Sequence, residues 1–101
     1  MKWTWFRYDT HRGRSTYLVL LPYHVSPAQA RPMLTAIPGP CLLVTPHPRA
    51  AASLAAQIPW VRMICTPHHL RIAGARAFLE LVGGLHGGPL VLDGLGARRF
   101  P

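Results

Sequence analysis

The chain has 101 residues, half of them apolar, with 11 Lys+Arg against 3 Asp+Glu and a formal charge of +8. That length supports one compact domain with one modest core, and the apolar content excludes extended disorder. Three acids leave too few carboxylates for a two-metal nuclease or a paired-carboxylate hydrolase.

Residues 2–9 (KWTWFRYD) alternate, with Trp3, Trp5 and Arg7 on one face and Thr4, Phe6 and Tyr8 on the other. Period two and aromatic enrichment predict a strand. A polar loop, 10–15, leads to Thr16–Leu21 (TYLVLL), whose unbroken apolar run predicts a strand buried on both faces. So short a loop makes the two an antiparallel hairpin. Ser26 then caps and Pro27 starts a helix to about Ala36, with Pro32 set to kink it or delay its start. Cys41–Val44 is the third strand. Pro48–Ile58 is a second helix, with Ala50, Leu54 and Ile58 on one face. Val61–Cys65 is the fourth strand, placed at an edge by Arg62. Pro67–Val82 is the third helix, with Leu70, Gly74, Ala77, Phe78 and Leu81 as its stripe and Glu80 pairing with Arg76 one turn before it. Gly83-Gly84 ends it, and Leu90–Leu92 is the last strand, after which Asp93-Gly94 turns away.

The order β-β-α-β-α-β-α-β predicts a small α/β domain with a mostly parallel sheet, right-handed crossovers and an N-terminal antiparallel hairpin. It is Rossmann-like in the loose sense. A single domain over 1–101 divides into the hairpin (1–23), the alternating core (24–96) and a loosely held tail (97–101). Cys41 and Cys65 both fall in strands and are expected as two buried thiols. The N-terminus lacks an apolar signal region, and no apolar run is long enough for a membrane span. These features predict a soluble cytoplasmic protein, prokaryotic or viral by size and composition, with no membrane partner.

One pattern recurs: Pro22-Tyr23-His24, Pro46-His47 and Pro67-His68-His69 each follow a strand and precede a helix. In a parallel sheet these loops and Asp93 share the carboxyl edge of the strands. Three readings of that edge compete. His24, His47, His68 or His69, and Asp93 are candidate ligands for zinc, although the spacing matches no metal motif. Alternatively, Arg49 and Arg71 in or near first helical turns, joined by Arg98 and Arg99 returning after the last strand, make that edge a place where a phosphate would be held. A cation near 4 Å from each guanidinium would lose about 4 kcal/mol per contact at an effective dielectric of about 20, so charge favours the anion. Lastly, Pro-His can simply start helices.

Lys2, Arg7, Arg12 and Arg14 interleave with Trp3, Trp5 and Tyr8 at the N-terminus. Arginines neutralise phosphates and aromatic rings stack on bases, with the Arg12-Gly13-Arg14 tip leading. Otherwise the two tryptophans cover the open sheet face. GC-rich coding accounts for part of the preference for Arg over Lys, but not for the shortage of acids. No phosphate-loop or dinucleotide fingerprint occurs, and none of Ser15, Ser26 and Ser53 sits in a nucleophile elbow. A Cys65–His68 nucleophile pair is conceivable, but a buried strand cysteine explains Cys65 better.

The sequence therefore predicts a nucleic-acid-binding or nucleic-acid-associated accessory protein that takes polyanions and needs no cofactor. One alternative is an enzyme on a phosphorylated or nucleotide ligand, with His47 or His68 as acid-base group and Arg49 as clamp. The other is a structural subunit of a homodimer or larger assembly, burying a leftover apolar face.

Overall fold

A computed structural model of the chain describes residues 4–10 and 13–94, and the backbone alone of 97–99. Ten elements follow in order: β1 (Thr4–Asp9), β2 (Ser15–Leu20), α1 (Pro27–Ala36), β3 (Cys41–Val44), α2 (Pro48–Ala55), β4 (Val61–Cys65), α3 (Pro67–Ala73), α4 (Ala75–Gly84), β5 (Leu90–Leu92) and β6 (Ala97–Arg99). The strands form one six-stranded sheet in chain order, β1 to β6. β2 to β5 are mutually parallel, while β1 and β6 are antiparallel additions at the two edges. The α/β class, the mostly parallel core and the N-terminal hairpin are as the sequence predicts. The segment expected as a loose tail instead contributes β6, paired with β5.

Local chemistry accounts for the element ends. Ser26 and Gln29 form a reciprocal capping box, with Ser26 N–H donating to Gln29 Oε1 at 2.9 Å and Gln29 N–H to Ser26 Oγ at 3.4 Å. α1 runs through Pro32 without interruption. The donor that proline lacks would have served the carbonyl of Ala28, an exposed residue whose oxygen can bond water instead. The hairpin closes with Gly13 N–H donating to Thr10 O and Thr10 N–H donating to Arg14 O. Gly13 sits at φ +73°, the left-handed position that this bulged turn requires.

The strands of the parallel core are buried on both faces. Tyr17, Val19, Cys41, Leu43, Val61, Ile64 and Val91 pack with Ala30, Leu34, Ala51, Ala52 and Ala55 of α1 and α2. On the other face Leu18, Leu42, Val44, Met63 and Cys65 pack with Phe78, Leu79 and Val82 of α4. Both cysteines are buried free thiols. Among the described residues no helix is long and apolar enough to cross a membrane.

Several expectations are corrected. The helix expected over 67–82 is two helices, broken at Gly74, whose φ of +86° and ψ of 145° lie outside helical space. The break turns Ala77 and Leu81 outward and buries Phe78, Leu79 and Val82. In α2 the buried face is Ala51, Ala52 and Ala55, with Ala50 exposed. β4 is an interior strand. Its Arg62 is the extra residue of a bulge opposite Cys41 and Leu42, and its guanidinium donates to Gly87 O at 3.1 Å. Glu80 accepts from the Tyr8 hydroxyl at 2.7 Å, and Arg76 lies 5.8 Å over the Tyr8 ring, so Tyr8 sits between the two groups expected to pair.

The crossovers also depart from expectation. Each connection between β2 and β5 moves one strand in the same direction. α1 and α2 cover one face, whereas α4 crosses the other against β2 and β3. Steps in one direction over opposite faces have opposite hands. One hand is therefore left, against a right-handed preference of about 98%. Both apolar faces need cover, and only three connections exist to supply it.

Candidate functional site

The parallel strands bring the three Pro-His loops and Asp93 to one edge of the sheet, as their spacing predicts. Backbone bonds tie the loops to neighbouring strands: Leu21 N–H donates to Val44 O, and Thr45 N–H to Cys65 O, both at 2.9 Å. Thr45 is fully buried, and its Oγ1 accepts from His47 N–H at 3.1 Å. This bond fixes the His47 backbone as the N-cap of α2. The His47 ring lies against Tyr23, centroids 5.5 Å apart, and stays exposed.

Asp93 follows β5 directly, and its side chain is only 2% exposed. Arg49, in the first turn of α2, donates from Nε to Asp93 Oδ2 at 3.1 Å while remaining 64% exposed. His47, Arg49 and Asp93 thus line one open hollow of about 330 Å³ with Pro48 and Ala50. The other histidines do not join it. His69 Nδ1 lies 2.8 Å from Thr66 Oγ1, which also accepts from His69 N–H, so the ring folds back on its own helix cap. His24 and His68 are exposed.

The proposed zinc ligands His24, His47, His68, His69 and Asp93 are therefore not brought together. Among the described residues no three His, Cys, Asp or Glu side chains form a group that could hold a metal. Asp93, the one acid of the set, already faces a guanidinium. Of the two acid-base candidates, His47 shares the hollow with Arg49, and His68 does not. Cys65 is buried in the sheet, and burial pushes its thiol up to about 12, which leaves no thiolate for a Cys65–His68 pair.

The hairpin tip lies at the opposite edge, where the parallel strands begin. Arg14 lines a hollow of about 190 Å³ with Thr10, Glu80, Gly83 and Gly84. Gly83-Gly84, expected as a cap and turn, are the last two residues of α4 and form one wall of this hollow. Arg7 is occupied locally: its Nε donates to Asp9 Oδ1 at 3.0 Å, and Asp9 also accepts from Ser15 Oγ at 2.7 Å. The Arg7 hydrogen bond, then that of Ser15, holds the Asp9 carboxyl below its usual range. Tyr8 is raised above the usual phenol value, first by its bond to Glu80. Arg71 is exposed on the last turn of α3, with no carboxylate partner among the described residues. Lys2 and Arg12 lie outside the described residues, as do the side chains of Arg98 and Arg99.

A further surface escaped the sequence reading. Trp5, Arg7, Tyr17, Met33, Ile37 and Pro38 line an apolar groove of about 310 Å³ between β1 and α1. Trp5 stands 6.0 Å from the Tyr17 ring but is still 53% exposed, so it covers the sheet face only in part. The alternation in 2–9 places Trp5 on that face, but only the position of α1 makes a groove of it. Compared with protein-family models, curated proteins and solved structures, the chain matches none.

Proposed function

We propose that the chain is a small nucleic-acid-binding accessory protein that holds phosphates through arginines at the two edges of its sheet. The observation that carries this reading is the fate of the acids. Asp9 is taken by Arg7 and Ser15, Glu80 by Tyr8, and Asp93 by Arg49. All three have protein partners, while the basic groups outnumber them by eight. Among the described residues Arg14, Arg49 and Arg71 are exposed, and such surplus positive charge attracts polyanions. Arg14 serves the hairpin-tip edge, with Arg12 beside it in sequence. Arg71 and the exposed Arg49 serve the strand-end edge, where Arg98 and Arg99 are further candidates.

Titration of labelled duplex DNA, single-stranded DNA and RNA across a salt series tests the reading. The logarithm of affinity should fall linearly with the logarithm of salt, with a slope of about −0.9 per phosphate contact on duplex. Arg14→Ala and Arg71→Ala should each flatten that slope by about one contact. Absence of binding at low salt, or binding indifferent to salt, overturns it.

The hollow shared by His47, Arg49 and Asp93 supports one alternative, an enzyme on a phosphorylated small ligand with Arg49 as clamp and His47 as acid-base group. It predicts turnover that His47→Ala abolishes while nucleic-acid affinity stays unchanged.

A further inference from the structure

β1 is one of the two edge strands of the sheet, and its outer side is a template for pairing. The hydrogen-bond parity of the hairpin identifies the outward groups. Thr10 turns both backbone groups towards β2, its N–H donating to Arg14 O and its C=O accepting from Gly13 N–H, and the register continues through Asp9↔Ser15, Tyr8↔Thr16, Arg7↔Tyr17, Phe6↔Leu18 and Trp5↔Val19. Hydrogen-bonded and non-hydrogen-bonded pairs alternate along an antiparallel ladder. Trp5, Arg7 and Asp9 therefore aim their N–H and C=O groups away from β2, to the open edge. Native edges are usually short, bulged, or guarded by proline or charged side chains, lysine above all. Thr4–Asp9 is six residues long, pairs with β2 without a bulge and contains neither proline nor lysine, and its two charges, Arg7 and Asp9, are paired with each other. It also exposes a large aromatic on each face, Trp5 at 53% and Phe6 at 51%.

We propose that β1 is the interface of a homodimer, pairing antiparallel with β1 of a second copy about a two-fold axis at Phe6. The register follows from complementarity. Two symmetric registers satisfy the backbone parity and overlap five of the six residues, one centred on Arg7 and one on Phe6. The first sets Arg7 against its own copy, and like charges directly opposite are destabilising. The second sets Phe6 against Phe6, and Trp5 against Arg7 of the other copy on both sides of the axis. A guanidinium facing an indole is an attractive cation–π pair, and Arg7 keeps its bond to Asp9 meanwhile. Both half-exposed aromatics then gain partners, one on each face of a continuous sheet that joins the six strands of each copy. The apolar groove beside Trp5 would border the seam. This inference stands on the edge strand alone and does not depend on the polyanion reading.

The test is the mass of the whole chain in solution by light scattering over a concentration series, with folding followed by circular dichroism. The wild-type chain should reach the dimer mass. Phe6→Lys places two like charges at the axis and should remain monomeric at the same concentrations. Phe6→Cys supplies a second readout should the lysine variant not fold. Residues opposite in a non-hydrogen-bonded pair have Cα atoms about 4.5 Å apart, within disulfide reach, so mild oxidation should link two chains. Cys41 and Cys65 are buried and stay out of that reaction. Trp5→Glu fixes the register: it faces Arg7 in the Phe6-centred dimer and should preserve it, but would face Asp9 in the Arg7-centred one. A wild-type chain that stays monomeric up to millimolar concentration overturns the proposal. So does a folded Phe6→Lys chain that still dimerises, or a Phe6→Cys chain that does not cross-link.

Discussion

Asp93→Asn separates the structural work of the strand-end edge from its binding work. The substitution keeps the side chain's volume and one acceptor oxygen but removes its charge. The wild-type pair is one-sided: a carboxylate 2% exposed faces a guanidinium 64% exposed across 3.1 Å. A hydrogen bond to a charged group contributes about 1.5–3 kcal/mol, and an exposed ion pair about 0.2–1 kcal/mol. A pair buried on one side lies between these, and the acceptor that asparagine retains brings the expected loss to about 1 kcal/mol. In a domain of this length that lowers Tm by about 4–8 °C. Polyanion binding should move the other way. The formal charge rises from +8 by one, entirely at this edge, and Arg49 is released towards solvent. One added phosphate contact steepens the salt slope on duplex DNA by about 0.9. A thermal melt and an anisotropy titration over a salt series read the two effects on one sample. If Tm falls as expected while the slope stays level or flattens, the strand-end edge is not where phosphate lands, and the placement of the binding surface fails.

Other expectations follow from single features. Gly74→Ala should cost about 1–3 kcal/mol by chemical denaturation, because φ +86° disfavours any side chain. Open space surrounds the added Cβ, so the loss is one of backbone conformation alone, and a neutral result would mean the helix break is not held at that angle. Trp60→Phe removes the indole N–H that donates to Leu34 O at 2.7 Å and should cost about 1 kcal/mol, measured the same way. Burial pushes the Cys41 and Cys65 thiols up to about 12. Both should resist alkylation at pH 8 in the folded chain and react once it is unfolded. Above about pH 8.5 the unfolded chain releases thiol protons that the folded chain keeps, so stability should fall from there towards pH 12. A denaturant midpoint that stays constant across that range would contradict the burial.

Much of the framework is legible in local sequence because local chemistry sets it. The cap Ser26 with Pro27, the helix end near Ala36 and the strand Cys41–Val44 fall where read. The repeated Pro-His signature correctly places three loops on one edge, since strands joined by helices run parallel. What fails there is convergence. Whether His69 points outward or folds onto Thr66 depends on a rotamer, and whether Arg49 waits for a ligand depends on Asp93, 44 residues away. The third helix fails for a related reason. Gly74 fits a helical stripe by spacing, but its freedom at positive φ allows a break that turns α4 onto the second face of the sheet.

The sequence by itself determined the first five strands, their parallel core and the excess of positive charge, because hydrophobic period, caps and composition are local quantities. The tertiary structure alone decided how Arg49 is engaged. Arg49 reads as the equal of Arg71 in a list of arginines, yet the fold gives it a buried carboxylate at about 3 Å while leaving most of its guanidinium exposed. It decided the edges too. Arg62 suggested an edge at β4, but a bulge and the carbonyl of Gly87 take that arginine into an interior strand. The edges are β1, where the sequence already places the leading strand of the hairpin, and β6, from the segment read as a tail. An edge is a property of the neighbours a strand lacks, so a single charged residue such as Arg62 does not mark one.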